Sequence, residues 1–120
     1  MKKKTPKVYI AGPMRGLPDF NYPKFNDYAA IYRSVGWEVE NPAEIGAKFG
    51  TPEQINADDA LLAEVMAADL HALADCDAIF LLQDWNKSSG ARREMAAAIA
   101  NGLKILLAPT IYSPEVLRYV

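Results

Sequence analysis

The run Ala78-Ile79-Phe80-Leu81-Leu82 is apolar at every position and has the length of one strand. Such a run is typical of a parallel strand that is covered on both faces of its sheet. Outward from it, Val8–Ala11 and Trp37–Glu40 are further strand-like segments, which end at Gly12-Pro13 and at Asn41-Pro42. Lys104–Ala108 is expected to be another buried strand.

Helical patterns separate these strands. Asn21 is the expected N-cap of a first helix, with Pro23 in its first turn and Gly36 as its stop. A long second helix is expected over roughly 53–74, and a third helix ends near Asn101.

The remaining segments are less regular. Residues 41–53 have the composition of a long loop, although a short helical turn through Ala43–Lys48 fits equally well. The tail, 111–120, has room for one more helical turn after Pro114.

The alternation of strands and helices predicts a parallel α/β sheet with right-handed crossovers. We expect a single domain over residues 1–120, folded as a flavodoxin-like (Rossmann-like) three-layer sandwich. Its sheet should hold about four or five parallel strands in an order close to 2-1-3-4. Ligands of such sheets bind beyond the carboxyl ends of the strands, which nominates residues 11–19, 41–48 and 83–94.

Composition excludes several classes of function. Hydrophobic residues make up 51% of the 120 residues and the net charge is −2, which disfavours a general nucleic-acid binder. One cysteine, Cys76, excludes an internal disulfide, and with the lone His71 it cannot build a structural zinc site. No signal-peptide core follows the basic start, and no run is long enough to span a membrane. We therefore expect a cytoplasmic protein without metal, cofactor, membrane or nucleic-acid polymer.

The segment after the first strand is glycine-rich. Gly12 and Gly16 allow backbone N–H groups to approach an anion, and the Arg15 guanidinium is suited to phosphate. A tight turn with a solvated arginine explains the same residues equally well, because the segment matches no established phosphate-binding motif.

The third helix begins at a second candidate anion site. Ser88 or Ser89 is a natural N-cap, and free N–H groups at a helix start attract negative charge. Glu94 lies about one turn into this helix, where a glutamate commonly does no more than complement the helix dipole. Its helical neighbours are small, however, which favours a carboxylate beside a cleft; they are Gly90, Ala91, Ala97 and Ala98.

Asp69 interrupts the apolar stripe of the second helix. It also lies near the helix C-terminus, where a carboxylate opposes the macrodipole. Both placements cost stability, so Asp69 is a candidate for acid–base chemistry with a raised pKa. An aspartate bonded to backbone or to an arginine is the alternative.

Other residues allow two interpretations. Tyr9 on the first strand is a core residue or part of a site, and Trp85 stacks on a ligand or closes the core edge. Asp58 and Asp59 have the pattern of a solvated helix face.

Three blocks in this order resemble the nucleoside 2-deoxyribosyltransferase superfamily, and most closely its DUF4406-like branch. They are Tyr9 to Gly16, Asp69 to Ile79, and Ser88 to Glu94. Together with the strands between them, they extend the resemblance over roughly residues 8–107.

The resemblance implies a role for each matching residue. Glu94 corresponds to the nucleophile that attacks the anomeric carbon of the sugar, Asp69 to the carboxylate that assists departure of the base, and Tyr9 to the phenol that orients the glutamate. Arg15, Gly16 and Ser88 correspond to positions that hold a 5′-phosphate. The expected substrate-binding set is Gly12, Met14, Arg15, Gly16, Ser88 and Gly90.

The same resemblance implies hydrolysis of the N-glycosidic bond of a (deoxy)nucleoside 5′-monophosphate. Ser88 stands where transferases of the superfamily tend to have an acid, which favours a nucleotide over a nucleoside. A base-exchanging deoxyribosyltransferase, a glycohydrolase of NAD type and a non-catalytic nucleotide-binding regulatory module remain alternatives. A homodimer or higher homo-oligomer is expected, since relatives associate and Tyr28 and Tyr32 have the pattern of exposed residues.

Overall fold

The computed structural model describes residues 5–108 and contains one parallel sheet. Its strands are β1 (Lys7–Ala11), β2 (Glu38–Glu40), β3 (Ala78–Leu81) and β4 (Lys104–Leu107). The spatial order is β2-β1-β3-β4, and every neighbouring pair is parallel. The predicted α/β class and strand order are confirmed, with four strands among the described residues.

Helices connect the strands. They are α1 (Tyr22–Ser34), α2 (Pro42–Ala47), α3 (Pro52–Asn56), α4 (Asp59–Ala74) and α5 (Ser89–Ala100), with single 3-10 turns at Pro18–Asn21 and Trp85–Lys87. The segment 41–53 is therefore largely helical, and of its two interpretations the helical turn is correct.

The long helix expected over 53–74 is in fact two helices. The break falls at Asp58, whose Oδ1 accepts hydrogen bonds from the amides of Ala60 and Leu61 at 3.0 and 3.1 Å. Asp58 and Asp59 are both exposed, as expected, but only Asp59 lies on the helix, because the side chain of Asp58 caps α4.

Side chains alternate between the two faces of the sheet, as the strand period requires. Val8, Ile10 and Phe80 pack with residues of α1 and α2. Tyr9 and Ile79 pack on the opposite face with residues of α4 and α5. This arrangement gives the expected three layers.

The edge strand β4 differs from the prediction of a buried strand. Only Leu106 is buried, whereas Ile105 and Leu107 are 43% and 53% exposed. An apolar run shows that a strand exists, but it does not show whether the strand is central or at the edge.

Two tyrosines also differ from expectation. Tyr32 is fully buried between Trp37 and Phe80, and Tyr28 is half-buried against Phe80. The argument that exposed tyrosines favour self-association is therefore wrong. The homo-oligomer itself stays a prediction, which light scattering at micromolar concentration can test.

Between residues 5 and 108 no helix combines the length and the apolar character that a membrane crossing requires. The expected helical turn after Pro114 lies outside the described residues. The single domain and the cytoplasmic location stay predictions.

Candidate active site

A cavity of about 480 Å³ opens where β1 and β3 end. Three parts of the chain that are distant in sequence meet there: the loop that follows β1, one face of α4 and the start of α5. Because the carboxyl ends of parallel strands lie at one edge of the sheet, the topology brings these segments together. We call this space the cavity throughout.

Tyr9 and Glu94 are joined by a hydrogen bond. The Tyr9 hydroxyl donates to Glu94 Oε2 at 2.5 Å, from a tyrosine that is completely buried on β1. Burial and the neighbouring charge of Glu94 raise the pKa of Tyr9 well above its ordinary value, so the phenol keeps its proton and remains a donor. The bond fixes one carboxylate oxygen of Glu94, which itself lines the cavity.

The ionisation of Glu94 differs from what its position in the helix predicts. The N-terminal half of α5 favours the charged form, yet burial raises the pKa of Glu94 to about 7. The hydrogen bond from Tyr9 and the charge of Arg93 lower this pKa but do not outweigh the burial. Near neutral pH, Glu94 is therefore present in both protonation states.

Asp69 faces the same cavity from α4. Its Oδ1 is buried and has no hydrogen-bond partner within residues 5–108. Burial and then the charge of Glu94 raise the pKa of Asp69 to about 8, which confirms the raised pKa expected from its place in an apolar stripe. At neutral pH the carboxyl group is mostly protonated and can donate its proton into the cavity.

The loop after β1 contributes Gly12, Met14 and Arg15 to the cavity. A Cβ at Gly12 would lie 2.7 Å from Leu82 Cβ, so the close packing of this loop on the strand end requires a glycine. Gly16 is not among the lining residues; its φ of +79° serves the turn closed by the Leu17 N to Met14 O hydrogen bond. The structure does not bring Gly16 to the predicted site.

Ser88 is the N-cap of α5, as expected. Its Oγ accepts a hydrogen bond from the Ala91 amide at 3.1 Å, and the first turn closes with Arg92 N bonded to Ser88 O. The amides of Ser89 and Gly90 precede that first intrahelical bond, and both residues line the cavity. Free amides at the positive end of a helix dipole are suited to an anion.

The sequence analysis missed several lining residues. Lys87 directly precedes the block Ser88 to Glu94 and Ser89 lies inside it, so their position alone could have added both to the predicted binding set. Phe20 and Tyr22 also line the cavity, and no pattern in the sequence indicates it. Trp85 is absent from the lining and packs against the core formed with α4 and α5, so it closes the core edge.

The described residues contain no group of three or more His, Cys, Asp or Glu side chains that could hold a metal ion. Cys76 is buried, and its surroundings raise its pKa to about 12, so its thiol is a poor nucleophile at neutral pH.

The solved structures that match this chain include two enzymes. A 2-deoxyribosyltransferase from Bacillus psychrosaccharolyticus is 19% identical, with a TM-score of 0.62, over 92% of this chain and 79% of that one. A CMP N-glycosidase from Clostridium botulinum is 22% identical, with a TM-score of 0.50, over 95% and 81%. Comparison with curated proteins gives no match.

A family model described as a domain of unknown function, DUF4406, matches residues 6–107. This range covers every element of the sheet and every side chain that lines the cavity. The resemblance inferred from the three sequence blocks is thereby confirmed: the chain belongs to the DUF4406 family and has the fold of the nucleoside 2-deoxyribosyltransferases.

Proposed function

We propose that this chain hydrolyses the N-glycosidic bond of a (deoxy)nucleoside 5′-monophosphate and releases free base and sugar phosphate. The observation that carries the proposal is the pair of carboxyl groups of Glu94 and Asp69, which face one cavity. Glu94 accepts a hydrogen bond from Tyr9, whereas Asp69 Oδ1 has no hydrogen-bond partner within residues 5–108. The fold neighbours add support, since they are a deoxyribosyltransferase and a CMP N-glycosidase.

In the first step, the ionised Glu94 carboxylate forms a bond to the anomeric carbon while the bond from that carbon to the base nitrogen breaks. The electron pair of the broken bond goes to the base, which takes the proton of Asp69. The anomeric carbon passes through an oxocarbenium-like state that a nearby carboxylate stabilises. The Tyr9 hydroxyl holds Glu94 in place for the attack.

In the second step, water attacks the anomeric carbon and the bond to Glu94 breaks. Asp69, now a carboxylate, accepts a proton from this water and returns to its protonated state. The raised pKa of Asp69, about 8, suits a group that must carry a proton in one step and regain it in the next.

The 5′-phosphate is assigned to the start of α5 and to Arg15. The amides of Ser89 and Gly90 offer neutral donors, and the Arg15 guanidinium offers a charge-assisted bond. Binding energy at the phosphate, remote from the bond that breaks, helps to position the sugar over Glu94.

The test is incubation of the protein with AMP, GMP, CMP, UMP and their 2′-deoxy forms, followed by chromatography for free base. We expect one or more of these nucleotides to lose their base, and Glu94→Gln to lower the rate by at least about a thousandfold. Glu64→Gln, the same change at an exposed site of α4 outside the cavity, is the matched control. No release from any nucleotide, or release that survives Glu94→Gln, would contradict the proposal.

Base exchange is the second candidate, favoured by the transferase among the fold neighbours. Adding a second free base to the same incubation separates the two reactions. A new nucleotide would indicate transfer, whereas free base and sugar phosphate alone would indicate hydrolysis.

A further inference from the structure

Three consecutive residues before α1 have a left-handed backbone. Asp19, Phe20 and Asn21 have φ of 51°, 53° and 61°, and none of them is a glycine. This conformation is most unfavourable for Phe20, because Asp and Asn adopt it more readily than other residues with a side chain. It is held by a hydrogen bond from Asn21 Nδ2 to Pro13 O at 2.9 Å and by one from Phe20 N to Leu17 O at 3.0 Å. Strained turns that the surrounding structure maintains are common at ligand sites.

The turn presents two aromatic side chains to the cavity. Phe20 and Tyr22 both line it, and both are half-buried. Phe20 belongs to neither hydrophobic core, so packing of the fold does not account for its position. A half-exposed phenylalanine in a cavity offers its ring to a ligand.

The Tyr22 hydroxyl is close enough to Asp69 and Glu53 for their charges to affect its pKa. A Cβ added at Gly46 would be 3.1 Å from this hydroxyl, which therefore lies against α2, and both residues line the cavity. Burial, then the charges of Asp69 and Glu53, raise the pKa of Tyr22, so the phenol stays protonated. Its hydroxyl can both donate and accept a hydrogen bond near the carboxyl group assigned to the leaving base.

We propose that Phe20 and Tyr22 form the base-binding wall of the cavity. Phe20 stacks on the planar heteroaromatic ring, and the Tyr22 hydroxyl binds a polar group on the edge of that ring. The inference rests on the proposed function and deepens it by naming the residues that choose the base. It leaves Ser88 and Arg15, which line the same cavity, for the phosphate.

The test measures binding by calorimetry in the Glu94→Gln background, where the ligand survives. AMP, GMP, CMP and UMP are compared with ribose 5-phosphate, which lacks the base. We expect Phe20→Ala to weaken binding of the preferred nucleotide by about tenfold or more, and Phe20→Leu to act in the same direction. Ribose 5-phosphate should bind these variants as it binds the parent protein.

Phe49→Ala is the matched control, since Phe49 is exposed and lies outside the cavity. It should leave every affinity unchanged, and thermal melting confirms that each variant is folded. Unchanged nucleotide affinity in Phe20→Ala and Phe20→Leu would overturn the stacking role. An equal loss for nucleotide and ribose 5-phosphate would overturn it too.

Tyr22→Phe removes only the hydroxyl. We expect it to reduce the preference for one base over the others by about fivefold or more, because a site that bonds a polar group discriminates strongly. Unchanged ratios between the affinities for the four nucleotides would overturn the role of Tyr22. If bases are released but these variants behave as the parent, only this inference fails; if no nucleotide binds or is cleaved, the proposed function fails with it.

Discussion

The two faces of the sheet are built from different side chains. On the α1 face, aromatic rings fill the core: Tyr32 lies 5.1 Å from Phe80 and 5.3 Å from Trp37 between ring centroids. On the opposite face, Tyr9 is the large aromatic residue of the buried core, and its hydroxyl bonds Glu94. One face stabilises the fold, whereas the other places ionisable groups beside a cavity.

Small residues make the second face possible. Ala91 and Ala98 of α5 are buried against the sheet, so the helix approaches closely and Glu94 reaches the Tyr9 hydroxyl. Burial of these two carboxyl groups disfavours their ionised forms and raises their pKa values to about 7 for Glu94 and about 8 for Asp69. Packing of the first face offsets a site that is unfavourable to stability, a division that is common in enzymes.

Truncation of the aromatic layer should have the largest effect on stability. Phe80→Ala removes a fully buried ring from the α1 face, and we expect a loss of ~3–5 kcal/mol in the free energy of unfolding. Denaturant titration measures it. A loss below ~1 kcal/mol would show that this face is not the main source of stability.

Asp69→Asn should have the opposite effect and increase the free energy of unfolding. The pKa of this acid is raised from 3.8 to about 8, so its ionised form is disfavoured in the fold. The ionisation of Asp69 therefore does not destabilise the wild-type protein below pH 3.8. Its destabilising effect grows as the pH rises towards about 8 and reaches its full size above that pH. At about pH 8.5 we expect Asp69→Asn to gain ~2–4 kcal/mol, and near pH 4 almost nothing.

Asp59→Asn, at an exposed site on the same helix, is the control for this pH dependence. Unfolding of Asp69→Asn would show that Asp69 is a structural hydrogen-bond acceptor. A gain in stability that does not vary with pH would contradict its raised pKa. Base release by Asp69→Asn should fall most for poor leaving groups, which need protonation most.

Arg15→Ala should weaken binding of a nucleotide by ~1.5–3 kcal/mol, because a charge-assisted hydrogen bond is lost. Binding of the matching nucleoside should barely change. Calorimetry in the Glu94→Gln background compares the two ligands. Equal losses would assign Arg15 a role other than phosphate binding.

Two helix caps provide the smallest and most closely matched comparison. Ser88→Ala and Asp58→Ala each remove a side chain that caps a helix, and each should cost ~1 kcal/mol of stability. Only Ser88 lies in the cavity, so only Ser88→Ala should also change nucleotide affinity. If the two variants bound nucleotide with the same affinity, Ser88 would cap α5 without contributing to phosphate binding.

The sequence predicted the sheet and many of the residues that line the cavity. The apolar run at Ala78 and the cap at Ser88 are local signals, and Asp69 is visible because it breaks an apolar stripe. The raised pKa of Glu94 could not be predicted, since it depends on burial by segments distant in the chain.

The left-handed turn before α1 was equally hidden from the sequence. Its residues are not the glycines that usually signal such a backbone, and Asn21 occupies the N-cap position while its side chain bonds Pro13 O. That Phe20 and Tyr22 line the cavity could be found only with this turn in place.

The pH dependence of base release tests the central claim most directly. If Glu94 must be ionised and Asp69 protonated, kcat/KM should follow a bell with limbs near about 7 and about 8. The residual activity of Asp69→Asn should lack the alkaline limb and keep the acid one. A flat profile between about pH 5.5 and 9, or an alkaline limb that persists in Asp69→Asn, would contradict the paired roles of the two carboxyl groups.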